Sequence, residues 1–577
     1  MSKARENLPP RLLEHTVAQD YSLYTEIDQA VWRYIMKVSI PFFKNNAHKS
    51  YIEGLEMIGI PVEHIPQVNE IDRKLDNYNW GAVTVKGFIP PIIFMEFLSR
   101  KVLPIAVDMR TDKHISYTPA PDIIHEAAGH APIIADDDYA EYLSTYGEIS
   151  QKAIQSKEDS DLYAIIKKMS DMKENPNTDP NDLKKIEKEF EKKSLDHSRV
   201  SEATELARMN WWTIEYGLIG TLDNPKIYGA GLLSSVSESS DSLDKKVEKI
   251  PITIDCIHQD YNITEPQPKL FVTKNFKNLS NILTEYSETM AYKTGGLSGI
   301  EKAILSENIT TSVYDSGLQV SGILKNCTKD NNKEITYLNF EGAVQLSYKD
   351  SELKGHGVAY HSQGYGAAVG LLSKINLPLH QLNNNQLENL GVKENCNILL
   401  TFIGGLFVTG TVKKVLIVDG SPILISLDDC TVKLNDHYLY KPEWGTYDLA
   451  CGGKIISVFG GPSDWKSYFN WKPVSSSIKH QSSNLNKENT ELNELYKIVQ
   501  KYKRNRNPNN DYIPILKLLY NDYPEDWLLC MEIYEIIFKD PDLTNEIIHL
   551  SQYLNKFAKN NNLADTISRG FDIIEKP

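Results

Sequence analysis

The sequence has few cysteines, no long apolar run and no excess of positive charge. Its six cysteines are scattered through 577 residues with no C-x-x-C pair. This argues against a disulfide framework or a sulfur-ligated metal site, and it favours a reducing compartment. The formal net charge is −15. Because nucleic-acid binding depends on a basic surface, this charge argues against a nucleic-acid partner.

Signals for membrane insertion or secretion are also lacking. The most apolar run, "NILLTFIGGLFVTG", is interrupted by glycines and threonines. It is too short to cross a bilayer, which needs about 20 residues. The N-terminus, "MSKARENLPPRLLEH", has no apolar core of the kind found in signal peptides. We therefore expect a cytoplasmic protein without membrane association.

Three regions follow one another along the chain, as expected for a length that exceeds one ordinary core. Apolar residues recur with helical spacing at first, then alternate in short segments between turn residues, and finally return to helical spacing. We predict a mainly α N-terminal domain, a small β-rich sandwich or barrel, and a short C-terminal α-helical region. The predicted boundaries are 1–296 for the first domain, with a charged helical insert at 156–193, 297–475 for the β-rich domain, 476–490 for a linker and 491–577 for the helical region.

Two histidines lie five residues apart in "TPAPDIIHEAAGH", Thr118–His130. In a zinc-protease helix the histidine ligands are four residues apart and about 40° apart around the helix, whereas five residues correspond to about 140°. His125 and His130 could bind one ion only if the helix is distorted between them, which Gly129 would permit. On this spacing alone, two helical histidines are more often structural than metal ligands.

Glu215 is a third candidate ligand, in the apolar and aromatic segment "ARMNWWTIEYGLIG". A buried carboxylate is costly unless it is paired or binds a metal, and an ion pair with Arg208 is the alternative to metal binding. Two imidazoles and one carboxylate form the open face of an octahedral non-haem Fe(II) site. Zinc prefers a tetrahedral site with at most one open position.

The residues around these three positions resemble the pterin-dependent aromatic amino acid hydroxylases. The resemblance covers about Tyr21 to Gly296, and four segments match in order. They are "YTPAPDIIHEAAGHAP" (Tyr117–Pro132), "WWTIEYGL" (Trp211–Leu218), "YGAGLLSS" (Tyr228–Ser235) and "YNITEPQPKLFV" (Tyr261–Val272). The resemblance implies a mostly helical basket with a small sheet. It also implies an oxidoreductase, a monooxygenase that uses Fe(II), O₂ and a tetrahydropterin (tetrahydrobiopterin or a related pterin) to hydroxylate an aromatic amino acid.

The resemblance implies roles for individual residues as well. The implied iron ligands, and therefore the catalytic residues, are His125, His130 and Glu215. The implied substrate-binding residues are Arg110, Tyr117, Thr118, Pro121, Trp211, Tyr216, Gly231, Ser234 and Ile263. The implied pterin-binding residues are Gly87, Phe88, Ile89, Pro91, Phe94 and Glu126. Among these, Arg110 is the implied clamp for the substrate carboxylate, because a guanidinium binds a carboxylate through two hydrogen bonds.

Two positions favour phenylalanine as the substrate, which would place the enzyme in phenylalanine catabolism. Trp211 is typical of the phenylalanine- and tyrosine-hydroxylating members, and Ile263 stands where tyrosine hydroxylases have Asp. An apolar wall suits an unsubstituted ring, because a phenol hydroxyl would lose a hydrogen bond there. The alternatives are a tyrosine or tryptophan hydroxylase of the same family, a non-catalytic iron- or pterin-binding sensor, and a zinc metallohydrolase.

The C-terminal half resembles no family that we can name. The segments "HSQGYGAAVG" (His361–Gly370) and "FGGPSD" (Phe459–Asp464) contain glycines but lack the strand–helix order of a dinucleotide-binding motif. We interpret both as turns of a β domain. This half is a candidate for self-association, for binding a regulator or for contact with a partner.

Overall fold

The computed structural model describes residues 1–87, 89–115, 121–174, 178–196, 200–262, 266–470, 472, 487–505, 512–560 and 563–576. The chain forms two compact units, each built from segments that are separated in sequence. The first unit combines Met1–Glu148 and Arg208–Ile282 with the C-terminal Pro473–Pro577. The second unit combines Ile149–Ala207 with Leu283–Lys472.

Helices dominate the chain up to Ser306, as the periodicity of the sequence predicts. The longest, Glu26–Asn46, begins with a capping box in which Thr25 and Asp28 exchange side-chain and backbone hydrogen bonds. The α-helices of this part are Lys3–Glu6, Pro10–Leu13, Glu26–Asn46, Lys49–Ile58, Val68–Leu75, Pro91–Ser99, Asp137–Ser150, Lys157–Glu174, Pro180–Asp196, Glu202–Asn210, Ala230–Leu233, Val236–Asp241, Phe276–Ser287, Ala291–Thr294 and Gly296–Ser306.

Two small sheets complete the first unit. In one, Gly81–Val85 and Val102–Ala106 pair in parallel, with every residue of both strands buried. The helix Pro91–Ser99 connects them, as a parallel pair requires a crossover. The other sheet has four strands in the order Asn224–Ile227, Leu218–Thr221, Lys269–Thr273 and Glu248–Pro251.

The C-terminal helices belong to the first unit, where Lys487–Asn505, Trp527–Ile537 and Ala564–Glu575 pack against Glu26–Asn46. Arg33 Nε and Glu532 Oε1 are 2.8 Å apart in a buried ion pair, and the rings of Tyr34 and Trp527 meet edge to face at 5.1 Å. The C-terminal helices are Lys487–Asn505, Ile513–Asp522, Trp527–Ile537, Thr544–Asn560 and Ala564–Glu575.

The second unit contains two antiparallel sheets, and residues of both sheets contribute to its two apolar clusters. The six-stranded sheet has the order Ser351–Glu352, Ile335–Tyr348, Leu318–Lys329, Ile309–Tyr314 and Ile455–Gly460, with Gly364–Ala368 also paired to Ile335–Tyr348. The five-stranded sheet has the order Asn397–Thr401, Leu406–Val418, Ser421–Leu434 and His437–Tyr440, with Tyr447–Ala450 also paired to Ser421–Leu434.

Within the segment predicted as a charged insert, the helices Lys157–Glu174 and Pro180–Asp196 lie side by side, with Lys193 Nζ 3.4 Å from Asp161 Oδ2. The strands of this unit are longer than the short strands expected from the sequence, since four of them have 12 to 14 residues.

The order of a helical N-terminal part, a β-rich middle part and C-terminal helices agrees with the prediction in this general form. The boundaries proposed for the domains stay a prediction. In the part of the chain that the structure describes, we find no helix with the length and apolar character needed to span a membrane.

Candidate metal centre and its surroundings

The two histidines lie on a π-helix, Ile124–His130. Its hydrogen bonds join residues five apart, as in Ala131 N to Glu126 O at 3.1 Å, so residues i and i+5 lie one above the other. This explains the spacing of five, which an α-helix does not accommodate. Gly129 contributes through packing, because a Cβ atom there would lie 2.8 Å from the Ala230 carbonyl oxygen. The two imidazole Nε2 atoms of His125 and His130 are 3.1 Å apart.

Glu215 ends a second π-helix, Trp211–Glu215. Its Oε2 lies 3.3 Å from His125 Nε2 and its Oε1 lies 3.4 Å from His130 Nε2. The alternative partner, Arg208, instead binds the Ile257 carbonyl and the Asp260 carboxylate. The structure thus brings the three predicted ligand side chains together, with donor atoms close enough to bind one metal ion.

The hydrogen bonds around His125 select the tautomer that can bind a metal. Ser234 Oγ donates to the Gly231 carbonyl at 3.2 Å and lies 3.1 Å from His125 Nδ1. Since the hydroxyl hydrogen is already donated, Ser234 Oγ accepts from the Nδ1–H of His125. The lone pair of His125 then lies on Nε2, the atom that faces His130 and Glu215.

Asp122 connects the predicted substrate clamp to the first histidine. Its buried carboxylate accepts hydrogen bonds from Arg110 Nε and Nη2, both at 2.8 Å, and from the backbone N–H groups of Arg110 and His125, both at 3.0 Å. Arg110 Nη1 also donates to the Ser234 carbonyl at 3.0 Å. Three of the five guanidinium N–H groups are thus engaged by described residues, which leaves two to bind a ligand or residues outside the described segments.

The carboxylates near the two histidines differ in their pKa. Burial raises the pKa of Glu126 to about 8, and its Oε2 has no hydrogen-bond partner among the described residues. For Glu215, burial alone would raise the pKa, but the attraction of His130 and His125 and their hydrogen bonds lower it well below its usual value. For Asp122, burial would likewise raise the pKa, but the charge of Arg110 lowers it. At neutral pH, Glu126 therefore holds a proton while Glu215 and Asp122 are charged.

An aromatic stack adjoins Glu215. The Trp211 ring lies between Tyr216 at 4.5 Å and Tyr261 at 4.4 Å, nearly parallel to both. The hydroxyl of Tyr216 donates to the Glu238 carboxylate. A Cβ atom at Gly231 would lie 3.0 Å from the Glu215 carbonyl oxygen, so glycine lets the Ala230–Leu233 helix approach this segment closely. Four residues predicted to bind the amino acid therefore lie close to the segments that carry the predicted metal ligands. They are Trp211, Tyr216, Gly231 and Ser234.

The described residues of the predicted pterin loop lie after the strand Gly81–Val85. Gly87 adopts a left-handed φ of 58°, and its N–H donates to Asp108 Oδ2 at 2.9 Å. The Asp108 carbonyl accepts from Ile123 N at 2.9 Å. Asp108 therefore ties this loop to the residue before the π-helix that carries His125.

Other predicted residues lie close in sequence to these elements. Pro91 begins the helix Pro91–Ser99 and Phe94 is half-buried on it, while Ile89 packs on a small apolar cluster that includes Val85 and Phe97. Pro121 is half-buried directly before Asp122. Phe88, Tyr117, Thr118 and Ile263 lie outside the described residues, and their predicted roles stay predictions.

Three residues of this region were missed in the sequence analysis. Asp122 had a detectable signal, since it is an acid among apolar residues three positions before His125. Asp108 and Tyr261 had no comparable signal, because their contacts join segments that are distant in sequence or separated by a loop.

Comparison with known proteins gives an independent view of this region. The model of the biopterin-dependent aromatic amino acid hydroxylase family matches residues 16–165 and 180–295. The gap between these two matched ranges lies inside the predicted charged insert. The phenylalanine-4-hydroxylase of Pseudomonas aeruginosa is 30% identical over 264 residues, which cover 45% of this chain and 84% of that protein. The phenylalanine-4-hydroxylase of Mesorhizobium japonicum is 26% identical over 270 residues, which cover 46% and 82%.

A solved structure is also similar to part of the chain. It is the phenylalanine hydroxylase from Chromobacterium violaceum with bound iron(III) and 7,8-dihydrobiopterin. The sequence identity is 24%, the match covers 48% of this chain and 88% of that chain, and the TM-score is 0.37.

Proposed function

Because the chain belongs to the biopterin-dependent aromatic amino acid hydroxylase family, we propose that it is an Fe(II)- and tetrahydropterin-dependent monooxygenase that converts phenylalanine to tyrosine. The observation that carries this proposal is the convergence of His125, His130 and Glu215 from two π-helices. The relatives named as phenylalanine hydroxylases support the choice of substrate.

The three side chains fit a ferrous ion by their chemistry. Two neutral imidazoles and one charged carboxylate are the donor set of the non-haem Fe(II) facial triad, which leaves coordination positions open. A charged Glu215 and a His125 tautomer with a free Nε2 lone pair are the protonation states that such binding requires. When bound, the ion and the reduced pterin together supply the electrons for O₂ activation.

In this proposal Arg110 binds the substrate carboxylate through its two remaining N–H groups. Asp122 holds the guanidinium in place and neutralises part of its charge in a buried setting. Tyr216 and Tyr261 cover the two faces of the Trp211 ring and keep it in orientation, so Trp211 is proposed to contact the substrate ring through its edge. The substrate roles of Tyr117, Thr118, Pro121 and Ile263 are carried over from the family resemblance.

The pterin is proposed to lie between Glu126 and the loop that contains Gly87. The protonated carboxyl of Glu126 has an oxygen without a described partner and can exchange hydrogen bonds with a polar heterocycle. Phe94 is proposed to stack on the pterin ring. Phe88, Ile89 and Pro91 are proposed to contact the same cofactor.

A competition assay tests the proposed reaction. The full chain, loaded anaerobically with ferrous iron, is given a reduced tetrahydropterin, O₂ and equal concentrations of phenylalanine, tyrosine and tryptophan. Tyrosine formed from labelled phenylalanine should be the main product. Preferential hydroxylation of tyrosine or tryptophan would refute the substrate assignment, and no hydroxylated product from any of the three would refute the activity.

The ligand assignment has a separate test with a matched control. Glu215→Gln preserves the side-chain shape but removes the charge, so iron binding and hydroxylation should be lost together. Glu70→Gln makes the same change at an exposed helix position that pairs with the exposed Arg73, and it should retain iron. Iron and activity retained in Glu215→Gln would contradict the assignment.

A further inference from the structure

A second cluster of two histidines and one carboxylate lies in the β-rich second unit. His356 Nδ1 is 3.4 Å from His361 Nε2, and Asp448 Oδ2 is 3.8 Å from the first nitrogen and 4.0 Å from the second. These three atoms belong to different side chains and lie close enough together to bind one ion. Its residues belong to the second compact unit, and none of them is assigned a role in the proposed hydroxylation.

Regular backbone structure holds the three residues in place. The carbonyls of His356 and His361 accept hydrogen bonds from Leu346 N at 2.9 Å and Val344 N at 3.1 Å, which fixes the histidine segment to the strand Ile335–Tyr348. Asp448 lies on the strand Tyr447–Ala450, opposite Ser426. Donor atoms on such rigid elements are positioned more accurately than donors on free loops.

The burial of Asp448 is the observation that points to a ligand. The residue is only 2% exposed. Ser426 Oγ donates to its Oδ1 at 2.6 Å and fixes the carboxyl plane. Its Oδ2 is buried and has no hydrogen bond of acceptable geometry among the described residues, although the Tyr360 hydroxyl also approaches the carboxyl group. A buried carboxylate oxygen without a partner is costly, and a bound cation would remove that cost.

The imidazoles are positioned by packing. His361 is 8% exposed, and its ring meets that of Tyr365 at 5.1 Å. Imidazole nitrogen is a common ligand of zinc and other first-row transition metals.

We propose that His356, His361 and Asp448 bind a divalent first-row transition metal ion, with zinc as the best fit. A circle through the three donor atoms has a radius of about 2.2 Å, so an ion at its centre lies within about 0.2 Å of ordinary Zn–N and Zn–O distances. Tetrahedral zinc separates its donors by about 3.3 Å, so the Asp448 side chain would move about 0.5–0.7 Å closer to the two imidazoles when the ion binds. The fourth position is left for water or for the half-exposed Tyr360 hydroxyl.

Of the two histidines, only His361 lies in the segment His361–Gly370, which was interpreted from its glycines as a turn of the β domain. The histidines are five residues apart in "HGVAYH", a spacing that by itself suggests no metal site outside a regular helix. The third ligand comes from a strand far along the chain, so only the folded structure brings the three donors together.

Metal stoichiometry of the full, tag-free chain tests the proposal. The protein is stripped with a chelator, incubated with Zn²⁺, dialysed and analysed by mass spectrometry for bound metal. The wild type should bind two equivalents, and Asp448→Asn should bind one. Because Glu215→Gln removes the other centre, that variant should also bind one, and the double variant none. Zn²⁺ should also raise the melting temperature of Glu215→Gln but not that of the double variant.

A matched control separates metal binding from general loss of a buried histidine. His380 also lies beside a carboxylate, with Nδ1 3.8 Å from Asp315 Oδ1, but it belongs to no three-donor cluster in the described chain. His380→Gln should keep both equivalents. His356→Gln provides a second test at a more exposed ligand if Asp448→Asn fails to fold.

The proposal is overturned if Glu215→Gln binds no zinc, or if His356→Gln and Asp448→Asn bind as much zinc as the wild type. Failure of the proposed hydroxylation would leave this outcome unaffected, since the two centres are removed by different substitutions.

Discussion

Asp122 is predicted to be the residue that holds the substrate clamp and the first histidine ligand in one arrangement. Its carboxylate accepts four hydrogen bonds, three from Arg110 and one from the backbone of His125. In Asp122→Asn, an NH₂ group replaces one of the two carboxylate oxygens. Because both oxygens accept hydrogen bonds, the NH₂ group would face N–H donors in either orientation. Arg110 also loses its buried counter-ion. Breaking a buried ion pair costs about 3–5 kcal/mol. Because asparagine keeps one acceptor, we expect a loss of about 3 kcal/mol.

Urea unfolding followed by tryptophan fluorescence measures this loss. For a unit of this size, the free energy of unfolding falls by roughly 3 kcal/mol for each M of urea. The unfolding transition of the first unit should therefore move by about 1 M urea. The KM for phenylalanine should rise, and iron affinity should fall about 10- to 100-fold, as is typical when a group that orients a ligand is removed.

Asp260→Asn is the matched control for Asp122→Asn. It removes the partner of Arg208, but Asp260 is 85% exposed, so the change should cost no more than about 1 kcal/mol. Equal unfolding midpoints for Asp122→Asn and the wild type, with unchanged iron affinity, would refute the reasoning about this buried pair.

Three further substitutions test the surroundings of the centre. Ser234→Ala removes the acceptor for His125 Nδ1–H and should weaken iron binding about tenfold, as measured by competition with a chelator; unchanged affinity would show that the hydroxyl does not orient the ring. Gly129→Ala places a Cβ atom 2.8 Å from the Ala230 carbonyl and should lower stability by about 1–3 kcal/mol in urea unfolding; a neutral result would contradict the close packing. Trp211→Ala should raise the KM for phenylalanine about tenfold with a smaller change in kcat, as expected for loss of one aromatic contact; a fall confined to kcat would argue against a binding role.

The family and the broad order of the chain could be predicted from the sequence. The resemblance around "HEAAGH" and "WWTIEYGL" was confirmed by the family match over residues 16–165 and 180–295. The succession of helices, strands and helices follows from hydrophobic periodicity, which depends only on neighbours in the chain.

The geometry of the ligand helix could not be predicted from spacing. An α-helix would have turned His125 and His130 away from each other, and only a vague distortion at Gly129 was expected. A π-helix costs hydrogen-bond quality and is stabilised by its tertiary surroundings. Here the close contact of Gly129 with the Ala230 carbonyl belongs to those surroundings.

The sequence by itself determined the types of donor, the local helical and strand segments and the family of the first unit. Only the tertiary structure decided which distant groups meet. It joined Arg110 to Asp122 and Ser234, and Trp211 to Tyr261. It also brought Asp448 to His356 and His361. Local patterns reflect backbone preference and burial on one face, whereas these contacts depend on how separate elements pack, and packing is not encoded in any single stretch of the chain.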